Sequence, residues 1–275
     1  PRMTRSLGGF AVSRGPGMTE LEDHVALPLP LARWSLLAAL GLWWIALTLA
    51  TSIAWGSPLR LAQDLAMRAP DSPRAQYELG RTYIIYSDYS PGSPFTPKVY
   101  APLERAAKLP DSSILPEQAL IFFNARMHRP LKDAWWDSMI AKLKAQPPGV
   151  QDESSLIALT KCAHSGACKL PPDRMLDAFL AALSHPNPNA RLLANYGDFA
   201  WNILNNHPLG LRSTREAVDA KPGEPAYRIT LARMYLSLGD TAKAQEQVQE
   251  LERLNYGGRL DGSIAALEKQ VRDAR

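Results

Sequence analysis

The chain has 275 residues, 46% of them hydrophobic and 21% charged, with a formal net charge of +4 and a pI near 9.1. That balance leaves room for one apolar span and one elongated domain but not for a polytopic protein. No Lys/Arg run reaches the density of a nucleic-acid face, so no nucleic-acid partner is expected. Residues 1–30 contain Gly8-Gly9, Gly15-Pro16-Gly17 and Leu27-Pro28-Leu29-Pro30 without helical period, and they read as a disordered segment. Trp34 to Trp55 then carries no charge, and the next charged residue is Arg60. A helix of this length covers about 33 Å, enough to cross a hydrocarbon core, so residues 31–57 are expected to form a transmembrane helix contacting the membrane through 34–55. It is apolar on every face, which argues against a buried helix of a soluble domain. Ser52-Ile53-Ala54 offers a small-x-small exit for a signal peptidase, but the length of the run and the 33 residues before it favour an anchor. Arginines flank the span on both sides, so charge does not decide its orientation.

From residue 58 the pattern changes to paired helices. Pro70-Asp71-Ser72-Pro73 leads into a helix with Leu79-Gly80 and Tyr83, and Pro222-Gly223-Glu224-Pro225 leads into one with Leu231-Ala232 and Tyr235. Both place a small residue seven positions after the second proline, where two helix axes approach closely. Between Tyr86 and Lys98, Ser-Asp-Tyr-Ser-Pro-Gly-Ser-Pro-Phe-Thr-Pro interrupts the pattern and reads as a lid or binding loop. Helical periodicity with breaks at Pro130, Pro147-Pro148 and Pro171-Pro172 gives helix pairs over 115–146 and 151–184. In the first, Trp136, Met139, Ile140 and Leu143 form a core stripe, and Trp135 is expected to turn toward an interface or groove. In the second, Cys162 and Cys168 enclose a short turn. They are expected to form a disulfide if the compartment is oxidising; two free thiols, or zinc ligation together with His164, are the alternatives. Tyr196-Gly197 repeats the small slot within 189–222. The copy from 225 to 258 closes with Ala244, Val248 and Leu251 on one face, and 259–275 is expected to form a capping helix.

These residues resemble the tetratricopeptide repeat family, with a period of about 34 residues. The resemblance covers residues 58–258 and implies an all-α solenoid of about five helix pairs after a leading half-pair. The order Trp55-Gly56-Ser57-Pro58-Leu59-Arg60-Leu61-Ala62, then Asp71 to Arg81, is also similar to the C-terminal part of bacterial proteins that join membrane spans to such repeats, some of which resemble protein O-mannosyltransferases. That similarity implies a bacterial inner-membrane location with periplasmic repeats; Pro1 in place of Met suggests a fragment of a longer chain, with an internal start at Met3 or Met18 as the alternative.

Chemistry-bearing motifs are absent from the sequence: there is no H-E-x-x-H, G-x-S-x-G, phosphate loop or G-x-G-x-x-G, and the five histidines are dispersed. The expectation is a non-enzymatic protein without cofactor or metal that binds a protein or peptide partner in envelope assembly. An acceptor-presenting module of a membrane glycosyltransferase and a cytosolic adaptor are the alternatives. First helices of such repeats line a concave groove, which makes Arg74, Tyr77, Arg81, Asn195, Asn202, Arg233 and Ser237 the candidate groove residues. Their arginines and tyrosine suit an acidic or C-terminal segment. The Lys, Asn, Asn, Lys, Arg set of the family's carboxylate clamp is not reproduced, so binding of chaperone tails is not implied.

Overall fold

The computed structural model describes residues 29–274, and among them it is all-α, with thirteen α-helices and no strand. The expected disordered segment lies outside the described residues except for positions 29 and 30. The chain divides into two units, one ending at Pro58 and the other beginning at Leu59. The first holds α1 (Leu29–Trp55). Its stretch from Arg33 to Ile53 has a mean hydropathy of 1.9, and none of it is buried within the protein. Thr48 and Thr51 donate their hydroxyls to the carbonyls of Trp44 and Leu47 one turn back, so both are satisfied within the helix.

The second unit is a succession of hairpins: α2 (Pro58–Arg68), α3 (Pro73–Ser87), α4 (Tyr100–Lys108), α5 (Leu115–Arg126), α6 (Asp133–Ala145), α7 (Val150–His164), α8 (Pro172–Leu183), α9 (Ala190–Asn202), α10 (His207–Ala220), α11 (Pro225–Ser237), α12 (Thr241–Arg253) and α13 (Asp261–Asp273). The breaks sit where local chemistry puts them. Proline occupies the first or second position of α3, α5, α8, α10 and α11, where its missing N–H costs nothing. Ser72, Asn189, Asn206 and Asp240 each accept a backbone N–H three residues on, a cap worth about 1 kcal/mol. α3 pairs with α4, α5 with α6, α9 with α10 and α11 with α12, and α3, α5, α7 and α9 also stack side by side, the arrangement of a tetratricopeptide-like repeat array; the expected pair over 151–184 departs from it, because α8 packs on α6 rather than on α7.

Small residues set the closest approaches. A Cβ on Gly80 would stand 2.4 Å from Leu103 Cγ of α4, and one on Gly197 would stand 2.4 Å from Thr214 Oγ1 of α10. Ala232 and Ala244 are fully buried, the first against Val248 and Leu251, the second against Leu231 and Tyr235. The main core runs through α3 to α9, where Phe179 stacks on Phe199 with ring centroids 4.9 Å apart and meets Tyr196 at 5.5 Å.

Two other expectations are decided by packing. The segment after Tyr86 is no lid: Phe95 packs against Tyr83 and Tyr86, Tyr89 lies against Phe122 and Phe123, and Thr96, 1% exposed, donates to Ser90 O at 2.6 Å. Its aromatics gain more by filling the end of the α3–α5 stack than by facing water. Of the two destinations expected for Trp135, an interface or a groove, it takes the interface with α4 and not a groove. It is buried, with Tyr100 stacked on it at 6.4 Å and Lys132 Nζ 5.1 Å over its ring.

Candidate functional site

Side-by-side stacking of α3, α5 and α7 leaves a groove of about 400 Å³ along their shared face. Ser72 caps α3 and Pro73 opens it, which fixes the register that puts Arg74, Glu78 and Arg81 on one stripe at i, i+4 and i+7. Among the described residues these three are the charged ones lining this groove; Tyr77, Leu115, Gln118, Gln151, Ser154 and Ala158 complete much of its lining. Glu78 bridges the two arginines, 2.7 Å from Arg74 and 3.4 Å from Arg81. Such exposed pairs contribute about 0.3–0.5 kcal/mol each, so an incoming carboxylate can displace them at little cost. An adjoining cleft of about 610 Å³ shares Arg74, Tyr77, Leu115 and Gln151, and continues past Asp71, Ser72, Asp111 and Ser113.

Desolvation holds the Tyr77 hydroxyl above the usual phenol range, with Arg81 opposing, Glu78 reinforcing and Arg74 opposing in decreasing measure. Tyr77 is therefore a neutral hydrogen-bond donor to whatever enters the groove.

The other candidates are placed differently. Asn195 of α9 is only 7% exposed and its Nδ2 has no hydrogen-bond partner. Asn202 is committed locally, its amide donating to Asp198 Oδ1 at 2.8 Å and to the Asp198 carbonyl at 3.2 Å. Ser237 donates to Met234 O at 2.9 Å, and Arg233 is exposed. The structure thus gathers Arg74, Tyr77 and Arg81 on one wall and leaves these four on α9 and α11. Between the two sets, Arg191 of α9 donates to Ser154 Oγ of α7 at 3.0 Å, and the buried Glu153 accepts from Asn189 Nδ2. The groove residues Gln118, Gln151 and Ser154 escaped sequence reasoning, because a polar residue on a solvated helix face looks the same whether or not a neighbouring helix makes that face concave.

Asp198 has its carboxyl raised above the ordinary value of 3.8 by burial, with His164, a hydrogen bond from Asn202 and Lys161 pulling the other way. At the nearby end of α7, Cys162 and Cys168 are joined as a disulfide with Cα atoms 5.2 Å apart. Gly166 in left-handed conformation (φ +73°) and the Cys168 N–H donating to Cys162 O at 3.1 Å shape the turn between them. Both sulfurs are consumed by this bond, so neither is offered to a metal together with His164.

No family model and no curated protein matches the chain. Among solved structures it is similar to one described as "Functional Characterization of Pseudomonas Aeruginosa pilF", at 14% identity, over 74% of this chain and 86% of that one, with a TM-score of 0.42. A likeness of that degree carries no argument, and the repeat assignment rests on the hairpin geometry.

Proposed function

We propose that the chain is a membrane-anchored scaffold that holds a short acidic segment of a partner protein in the α3–α5–α7 groove, with α1 in a bacterial inner membrane and the repeats on the periplasmic side. The observation that carries this reading is the wall built by Arg74, Tyr77 and Arg81, where two guanidinium groups share a single carboxylate. Arg81 is the looser partner of Glu78, so an incoming carboxylate would recruit it while Arg74 keeps its pair. Gln118, Gln151 and Ser154 then face the backbone of an extended segment, and Tyr77 donates its hydroxyl. Periplasmic placement is supported by the Cys162–Cys168 bond, which persists where oxidation is maintained.

The test is charge reversal. A charge-assisted hydrogen bond contributes about 1.5–3 kcal/mol, so Arg81→Glu should reduce partner recovery from solubilised membranes by roughly tenfold to a hundredfold. Arg253→Glu, on exposed α12, should leave it unchanged. Equal recovery with both variants would reject the groove as the binding surface.

A further inference from the structure

The groove does not close at the start of α3. It opens there into the cleft of about 610 Å³, and the two spaces offer a ligand different chemistry. Along the groove, the α3 stripe sets two guanidinium groups against one carboxylate. Beyond Arg74 the cleft lining adds two carboxylates, Asp71 and Asp111, and among the described residues no further cation. Its walls are apolar: Pro73, Leu115, Pro116 and the Tyr77 ring. Asp71 is already bridged to Arg105 at 3.1 Å. The Asp111 side chain has no ion pair or hydrogen bond among the described residues. Lys142, which also reaches this loop, is committed elsewhere: its ammonium donates to Ala107 O at 2.9 Å and Ser113 O at 3.1 Å, and stands 2.6 Å from the buried Glu117 carboxylate. All three of its protons are thereby used, and the loop carrying Asp111 is tied down on both sides of it.

A carboxylate at the rim of an apolar cleft fits a long basic side chain, whose methylene stem covers proline, leucine and tyrosine while its charged head meets the acid. The positive ends of the α3 and α5 dipoles lie at the same cleft and oppose a cation, but each amounts to about half an elementary charge against a full one on each carboxylate. We infer that the segment held in the groove is dipolar: an acidic residue meets Arg81, and toward the start of α3 a lysine or arginine lays its stem in the cleft and pairs its head with Asp111. This inference rests on the groove being the binding surface. Helix geometry gives the spacing. Residues 73 to 81 rise about 12 Å along α3, and the chain from Asp71 to Pro73 adds about 6 Å. An extended segment, at about 3.3 Å per residue, covers that span in about five residues.

Capped peptides about ten residues long, in a background of serine and alanine, test it by fluorescence anisotropy with the full chain in detergent micelles and its disulfide intact. One peptide carries aspartate alone, and two others add arginine five positions after or before it. In one of the two orders, arginine should tighten binding about threefold to tenfold, as expected of a partly exposed ion pair with its stem covered. Asp111→Asn should remove that gain, so that peptides with and without arginine bind alike. Asparagine tolerates the left-handed backbone at this position (φ +57°), which keeps the loop in place. Arg81→Glu should weaken all three peptides. If arginine adds nothing in either order, or its gain survives Asp111→Asn, the dipolar segment falls, while weakening by Arg81→Glu keeps the groove as the binding surface. Binding indifferent to Arg81→Glu, or no binding of any peptide, overturns both.

Discussion

Replacing Gly197 with alanine should destabilise the protein, against the usual sign of the change. In an open helix interior, glycine to alanine gains about 0.8–1 kcal/mol. Here the new Cβ would stand 2.4 Å from Thr214 Oγ1, 3.1 Å from Gly210 O and 3.2 Å from Thr214 N. Two of those three atoms are backbone of α10, so relief requires the helix itself to retreat, and Thr214 is fully buried with no space to turn into. Overpacking of this kind costs about 1–3 kcal/mol, leaving a net loss of about 1 kcal/mol after the propensity gain. Thr214→Ala removes the nearest atom, and Thr214 Oγ1 makes no hydrogen bond that would be lost. Gly197→Ala should therefore cost less in the Thr214→Ala background, with a coupling of at least about 0.5 kcal/mol. Gly262, near the start of α13 with nothing within 4 Å of its would-be Cβ, is the control and should gain stability on the same change. Urea titrations followed by circular dichroism give all five stabilities, parent included. A Gly197→Ala protein more stable than the parent would refute the close α9–α10 approach.

Three further outcomes follow from the same geometry. Burial raises the Asp198 carboxyl, so the folded state holds the proton more tightly than the unfolded chain; its contribution is fully present below the ordinary value of 3.8 and is lost as pH rises through the raised folded value. Asp198→Asn, which cannot ionise, should therefore be more resistant to urea than the parent at pH 7, with a margin that closes as pH is lowered toward 3.8; a margin independent of pH would contradict this. Alkylation of intact cells without reductant, read by mass spectrometry, should find Cys162 and Cys168 unmodified and the chain two hydrogens lighter, whereas two alkylated cysteines would move the repeats to a reducing compartment. Leu42→Arg should cost about 2.5–3.5 kcal/mol of insertion and release the chain on carbonate extraction, and full retention would count against a transmembrane α1.

The fold was legible wherever a local rule had one solution. Gly80, Gly197 and Ala232 are small because two helices touch there, and that spacing identifies the hairpins without long-range information. Proline positions likewise marked the starts of α3, α8 and α11. What escaped was non-local. Phe95 and Tyr89 fill the end of a stack whose other members lie on α3 and α5, so nothing in residues 86–98 alone distinguishes a lid from a plug. Trp135 and Trp136 are adjacent in sequence, and periodicity can place only one of them on the core stripe; the Tyr100 ring that covers the other comes from α4. The first-helix rule singled out Arg74, Tyr77 and Arg81, and all three line the α3–α5–α7 groove. Asn195 and Asn202 obey the same rule but are taken up by burial and by the Asp198 carboxylate, and the rule contains no term for those competitors.

A photo-crosslinking amino acid at Gln118, on the floor of the groove, tests the central claim most directly, with the same residue at Asp177 on α8, away from the groove lining, as the comparison. After irradiation of intact membranes, the account predicts a discrete covalent adduct from position 118 that Arg81→Glu abolishes, and none of that mass from position 177. An adduct of the same mass from both positions, or one from 118 that survives Arg81→Glu undiminished, would contradict it.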